Sequence, residues 1–145
     1  MALAANTITP RPPLNLFEVT RKQLQGNAWF ELVTVPAYWI PENGPIPGRG
    51  VNAACIMTGL TISNVANTTI KVSARIKGTD NSYYSILEET PVPRNDFLSI
   101  GFDRQVMLSG EVLEVSVPSN TNPSANHAVA HFSYIINQRE EFTIL

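Results

Sequence analysis

The stretch ACIMTGLTISNVANTTIKVSARIKG, residues 54–78, decides the fold class of this chain. In its second half, apolar and polar residues alternate strictly over residues 70–77. Successive side chains of a β-strand point to opposite faces, so this alternation predicts one buried face and one solvated face. No helical register collects the apolar residues of this segment on one side. The apolar set is Ile70, Val72, Ala74 and Ile76, and the polar set is Lys71, Ser73, Arg75 and Lys77.

The first half of the same stretch predicts a second strand. Ile56, Leu60 and Ile62 supply apolar side chains, and its β-branched residues favour extended backbone. Between the two strands, residues 64–68 contain two asparagines, which tolerate the left-handed backbone of a turn. The sequence therefore predicts a hairpin of two long strands, over which the rest of the chain packs.

Further strands follow at roughly 8–12-residue spacing, separated by Gly, Pro, Asn and Ser clusters, and this pattern is typical of a β-sandwich or jelly roll. We predict an all-β fold, a single β-sandwich (jelly-roll or immunoglobulin-like) of seven to eight antiparallel strands over residues 14–138. Residues 14–24 are compatible with either a strand or a helical turn. The other expected strands cover Trp29–Val35, Tyr83–Glu88, Phe97–Phe102, Val106–Gly110, Glu111–Val117 and His127–Gln138.

The two ends of the chain lack the apolar period of a folded element. Residues 1–13 are expected to form an extended N-terminal arm, which either lies along a neighbouring subunit or is a disordered terminus. Residues 139–145 are expected to be a C-terminal tail that closes on exposed apolar side chains. The candidate interface residues of these ends are Pro10, Pro12 and Pro13 in the arm and Phe142, Ile144 and Leu145 in the tail.

Residues 36–50, PAYWIPENGPIPGRG, predict a long proline-rich loop. Four prolines and three glycines exclude a central strand or a helix. Long irregular loops in compact domains are often functional, and aromatic side chains bury much area at a small entropic cost. Tyr38, Trp39 and Ile40 are therefore candidate interface residues, although Trp39 and Ile40 could instead plug the end of the core.

Composition narrows the function classes. A chain of 145 residues suffices for one domain. Its net charge is −2 and its basic residues are not clustered, so the sequence shows no basic patch for direct nucleic-acid binding. The single cysteine, Cys55, excludes an internal disulfide framework and is expected to be a small core residue. No apolar run reaches the length of a membrane span.

No stretch of the sequence shows a catalytic site. His127 and His131 are four residues apart on an expected strand, where that spacing covers ~13 Å and no third ligand is near. GPIPGRG lacks the ending of a phosphate-binding loop. The adjacent carboxylates Glu88-Glu89 and Glu140-Glu141 are expected to face opposite ways on their strands. We therefore expect no metal site, no cofactor and no enzymatic activity.

The order of these parts resembles the small β-sandwich structural proteins of tailed bacteriophages. The similarity covers about residues 54–136, from TGLTISNVANTTIKVSARI through FLSIGFDRQVMLSGEVLEVSV to the HFSYI strand. The turn Leu108-Ser109-Gly110-Glu111 resembles a family turn that usually has Asp where this chain has Glu111.

The resemblance implies a virion component, assembled in the host cytoplasm. It implies a capsid decoration or cement protein, with a neck, tail or baseplate subunit as the alternative. The implied partners are further copies of this chain, in a homo-oligomer, and other virion proteins such as the major capsid or tail proteins. A different class is also open, because β-sandwiches with exposed aromatic residues often bind sugars. The candidates for such a carbohydrate-binding module are Tyr38, Trp39, Tyr83 and Tyr84.

Overall fold

The computed structural model describes residues 14–36, 49–103, 105–122 and 125–142. Within these ranges the chain forms nine strands and no helix, and every strand pair is antiparallel. No helix of the described residues is long and apolar enough to cross a membrane. The strands are β1 (Leu14–Gln25), β2 (Phe30–Thr34), β3 (Arg49–Asn64), β4 (Ile70–Lys77), β5 (Tyr83–Val92), β6 (Phe97–Gly101), β7 (Val106–Leu108), β8 (Val112–Ser116) and β9 (Asn126–Phe142).

The strands form two sheets, which confirms the predicted all-β sandwich. Sheet A has the order β1-β9-β3, with β6 and β7 both beside β3; sheet B has the order β2-β8-β4-β5. The chain changes sheet at every connection except β4–β5 and β6–β7. If β6 and β7 are counted as one interrupted strand, this order is that of an eight-stranded jelly roll. In an immunoglobulin-like sandwich the first two strands share a sheet, whereas β1 and β2 here lie in different sheets.

The predicted hairpin between the two central strands is wrong. Ile70, Val72 and Ala74 of β4 face the core as expected, but β3 lies in sheet A and β4 in sheet B, so the link between them is an arch across the sandwich. Asn64 holds this arch: its side-chain amide donates to the carbonyls of Thr68 and Val92 at 2.8 and 2.9 Å, and its side-chain oxygen accepts from Ala66 N at 2.8 Å. The hairpin that does form joins β4 to β5, where Gly78 N donates to Ser82 O at 2.8 Å.

The core lies between the two sheets and is built from the inward-facing residues of both. The aromatic centre is Phe132 of β9, which stacks on Tyr134 with ring centroids 4.8 Å apart and meets the edge of Phe102. Other fully buried core side chains include Leu24, Met57, Leu60, Ile62, Ile70, Val72, Met107, Leu113 and Val115.

Cys55 is fully buried in this core, as expected, and burial raises the pKa of its thiol to about 12. The native protein is therefore expected to react with a thiol reagent at pH 8 far more slowly than the urea-unfolded protein, since the thiolate is the nucleophile. The pKa of this thiol is higher in the folded state than in the unfolded state, so its deprotonation favours unfolding. The free energy of unfolding is therefore expected to fall as the pH rises above about 9. A thiol reagent that releases a coloured group lets absorbance follow the reaction. Equal rates for the native and the urea-unfolded protein would contradict the burial of Cys55.

Several segments differ from their expected extents. Residues 14–24, which were compatible with either a strand or a helical turn, belong to β1. β3 begins at Arg49, so it takes up the last two residues of the loop expected over 36–50. β5 continues to Val92, beyond its expected end at Glu88. β9 continues to Phe142, whose backbone pairs with Arg49, so the strand runs through the first four residues of the expected tail. Residues 1–13, 37–48 and 143–145 lie outside the described residues.

Candidate interaction surfaces

A row of apolar side chains crosses the outer face of sheet A. The register pairs Phe17 of β1 with Ile135 of β9, Ile135 with Ile56 of β3, and Ile56 with Val106 of β7. Residues directly opposite each other on paired strands share one face, so these four side chains lie side by side over ~14 Å. Phe17 is 81% exposed and Val106 is 48% exposed. We call these four residues the outer row.

A β-bulge places Ile56 in the outer row. The β3–β9 register shifts between Met57 and Gly59, so the alternation of β3 changes phase at Thr58. As a result Cys55 and Met57 face the core before the bulge, while Leu60 faces it afterwards. Strict alternation would have given Ile56 and Leu60 the same face, so the sequence pattern alone could not show that this half-buried isoleucine faces outward.

Hydrogen-bonded polar side chains flank the middle of the outer row on both sides, while the exposed apolar side chains of Val19 and Leu108 lie beside its two ends. On one side Asn137 donates to the side chain of Asn15 at 2.6 Å. On the other side the Thr58 hydroxyl donates to the backbone oxygen of Ser133 at 2.7 Å. Contiguous exposed apolar patches mark protein–protein interaction sites.

The outer face of sheet B holds a second cluster around Arg75 of β4. The guanidinium carbon lies 3.8 Å from the ring centroid of Trp29 and 3.8 Å from that of Tyr83. Arg75 Nε donates to a carboxylate oxygen of Glu114 at 3.1 Å, in a charge-assisted bond between directly opposed residues. The two aromatic rings thus hold the guanidinium against its carboxylate partner.

The cluster around Arg75 buries the carboxylate of Glu114. The alternation of β8 predicts Glu114 on a solvated face, yet the residue is only 8% exposed. A buried carboxylate requires a partner, because its desolvation is costly. Arg75 supplies both the charge and the cover, which makes this ion pair part of the sandwich.

A cleft of about 350 Å³ lies beside this cluster and is lined by residues of β4 and β5 together with Trp29. Glu88 and Glu89 both line it, although adjacent carboxylates were expected to face opposite ways. The reason is a bulge: the β4–β5 register sets the single residue Ser73 against both glutamates. Glu89 has a positive φ of 44°, and its backbone N–H donates to the Ser73 hydroxyl at 2.9 Å. Bulges often re-aim side chains beside functional sites.

The candidate interface residues fall almost entirely outside the described part of the chain. Phe142 is placed only as the backbone partner of Arg49. All the other candidates lie outside the described residues: Pro10, Pro12, Pro13, Tyr38, Trp39, Ile40, Ile144 and Leu145.

Of the candidate sugar-binding residues, Tyr38 and Trp39 lie outside the described residues. Tyr83 and Tyr84 are both more than half exposed, and only Tyr83 lines the cleft. Sequence reasoning missed Trp29, whose position just before β2 gave no sign that it would meet Arg75 of another strand.

Among the described residues, no three His, Cys, Asp or Glu side chains converge in a way that could hold a metal ion. His127 and His131 lie on β9, as the sequence predicted, and both are half-buried. The backbone of His131 pairs with Arg21 on one side and Thr61 on the other.

No protein-family model and no curated protein matches the chain. Among solved structures, it is similar to an acid-stable capsid structure of Helicobacter pylori bacteriophage KHP30, with a TM-score of 0.46 and 11% identity over 91% of this chain and 100% of that chain. It is also similar to the VP2 subviral particle of infectious bursal disease virus, with a TM-score of 0.45 and 11% identity over 95% of this chain. A structure of the Gx strain of that virus gives a TM-score of 0.45 and 12% identity over 98% of this chain.

The chain spans about a third, 36%, of the length of each of these two infectious bursal disease virus chains. Alignments at this level carry no argument about what the present chain does. The assignment of the fold rests on the strand order.

Proposed function

We propose that this protein is a structural subunit of a virus particle, held to its neighbours through the outer face of sheet A. The observation that carries the proposal is the outer row, in which Phe17 and Val106 stand exposed at the two edges of one sheet face. Leaving such a row in water forgoes roughly 25 cal/mol for each Å² of apolar surface that a partner would cover. A subunit that is bound to its neighbours in an assembled particle gains this free energy, because the neighbours cover the row.

The fold is compatible with this role but does not decide it. Jelly rolls occur in viral capsid proteins, in lectins and in cupins, and function lies in sites rather than in folds. The resemblance to phage structural proteins adds to the argument through the order of its parts, which include the turn Leu108-Ser109-Gly110-Glu111. In the structure this turn joins β7 to β8 and carries the chain from sheet A to sheet B.

Within this class we favour a capsid decoration or cement protein over a neck, tail or baseplate subunit. Its partners would be further copies of itself and the major capsid protein or a tail protein. The arm over 1–13, the part of the expected loop that precedes β3 and the residues that follow β9 would add contact surface without enlarging the core.

A census of purified virus particles tests the role. Quantitative mass spectrometry of particles from the virus that encodes this chain is expected to find it in a fixed number of copies per particle. If the chain is made during infection but is missing from the purified particles, the structural role is wrong.

Deletion of residues 1–13 tests the contribution of the arm. The truncated chain is expected to melt within a few degrees of the full-length protein, because β1 begins at Leu14 and the core side chains of the described residues all come from Leu24 onward. The number of copies incorporated per particle is expected to fall, since the arm supplies part of the contact. Unfolding of the truncated chain would assign the arm to the core, and unchanged incorporation would make it only a disordered end.

The cleft of sheet B supports a second candidate function, carbohydrate binding. Exposed aromatic rings suit the apolar faces of sugars, and the carboxylates of Glu88 and Glu89 suit their hydroxyl groups. A glycan array is the direct test. Binding that is lost in Tyr83→Ala and retained in Tyr84→Ala would favour this function, because only Tyr83 lines the cleft. An array without binding would dismiss it.

A further inference from the structure

The two sheets leave four edges, and three of them are protected against pairing with another chain. β2 has only five residues, and β6 and β7 are short and separated by residues 102–105. β5 is longer, but it carries two register shifts, a positive φ at Glu89 and Pro91. Short strands, bulges and prolines are the devices by which proteins prevent edge-to-edge association.

β1 has none of these three protections along most of its length, and its charged residues, Glu18, Arg21 and Lys22, carry both signs. It is twelve residues long, and its register with β9 is regular from Leu14 to Leu24. On its other side it pairs with no described strand. Its exposed residues include Phe17, at 81%, and Val19, at 53%. A long, regular and partly apolar edge is a template for another strand.

We propose that β1 pairs antiparallel with β1 of a second copy of this chain, about a two-fold axis at Thr20. The two copies of sheet A then form one continuous sheet. This interface does not depend on the virion role, because it is a property of the purified chain.

Charge complementarity selects the register. With the axis at Thr20, Glu18 of each copy lies opposite Lys22 of the other, which gives two opposite-charge pairs. An axis at Glu18, Arg21 or Lys22 would place identical charges opposite each other, which is unfavourable on a sheet. Axes at Phe17 and Val19 also avoid this, but neither sets opposite charges against each other, and the Phe17 axis shortens the ladder. The Thr20 register extends from Asn15 to Gln25. These side chains follow from the strand sequence LNLFEVTRKQLQ.

The same register covers the most exposed apolar side chain. Phe17 would lie opposite Gln23 of the second copy and diagonal to Arg21 of that copy, on the outer face. Diagonal neighbours on a sheet are within reach of aromatic and long side chains, and an arginine over a ring is favourable. The outer rows of the two copies would then belong to one extended face.

The test is sedimentation velocity of the purified full-length chain over a range of concentrations. The wild-type protein is expected to show a reversible monomer–dimer equilibrium that weakens with salt. Glu18→Lys and Lys22→Glu, made singly, are each expected to raise the dimer Kd by at least about tenfold, because like charges then face each other. The double variant is expected to return the Kd to within about threefold of wild type, since both pairs are restored in the opposite sense.

Lys71→Glu is the matched control, because it makes the same kind of charge change at an exposed position of sheet B. It is expected to leave the Kd unchanged, and thermal melts of all variants confirm folding. A wild-type protein that stays monomeric overturns the proposal, and so does a double variant without rescue. Dimerisation that appears only when residues 1–13 are deleted would assign the β1 edge to the chain's own arm and would also overturn it.

Discussion

Replacing Val72 with Asp is expected to lower the free energy of unfolding by about 3 kcal/mol or more. Val72 lies near the middle of β4 with 0% of its surface exposed, and its side chain faces the core between the sheets. A carboxylate at this position has no described cationic partner in the core, so it either stays charged at a large desolvation cost or takes up a proton. The change also removes apolar contacts from the centre of the sandwich.

Urea denaturation followed by circular dichroism measures this loss. Lys71→Asp is the control, because it introduces the same side chain one residue earlier on the exposed face of the same strand. It is expected to change the free energy of unfolding by less than about 0.5 kcal/mol. Similar losses from the two substitutions would contradict the assignment of one buried and one exposed face to β4.

Replacing Arg75 with Met is expected to cost about 2 kcal/mol, the second-largest effect. Removing one partner of a buried ion pair leaves the other charge uncompensated, which costs 3–5 kcal/mol at fully buried sites. The side chains of Arg75 and Glu114 are 23% and 11% exposed, so water reduces this cost. The loss also includes the contacts of the guanidinium with Trp29 and Tyr83.

A double-mutant cycle separates the charge from the packing. Adding Glu114→Gln to Arg75→Met is expected to recover part of the lost stability, since the buried charge is then absent. Urea denaturation of the four proteins supplies the four free energies. If the effects of the two substitutions simply add, the pair is not coupled and Glu114 is buried for another reason.

The two sheets offer different surfaces to the surroundings. The outer face of sheet A is apolar along the outer row and ends at the open edge of β1, so both of its features suit association with other chains. The outer face of sheet B instead has a charged pair under aromatic rings and a cleft lined by carboxylates. Sheet A is therefore the place to look for subunit contacts, and sheet B is the place to look for a small ligand.

Local sequence patterns were sufficient wherever the structure follows the two-residue repeat of a strand. The alternation over residues 70–77 assigned Val72 to the core and Lys71 to water, and both are placed so. The sequence also indicated the turn at Gly110, which has a φ of 85°. A Cβ atom at that position would lie 2.7 Å from Thr79 Cγ2, so glycine is favoured for two reasons.

The sequence alone could not show which strands pair with each other. The alternation in β3 and β4 predicts an apolar face on each strand, and a hairpin and an arch across the sandwich satisfy that pattern equally well. The choice depends on contacts between residues far apart in the chain, such as the bond from the Asn64 amide to the carbonyl of Val92. No short window of sequence contains both partners of such a bond.

The exposed surfaces depended on irregularities that the tertiary structure creates. The bulge at Thr58 turns Ile56 outward, and the bulge opposite Ser73 brings Glu88 and Glu89 to one cleft. Glu114 is buried because Arg75, Trp29 and Tyr83 from other elements cover it. The sequence by itself determined that this chain forms strands with one apolar face each. Only the tertiary structure decided which strands pair and which side chains remain exposed, because a strand's own periodicity holds no information about the strand beside it.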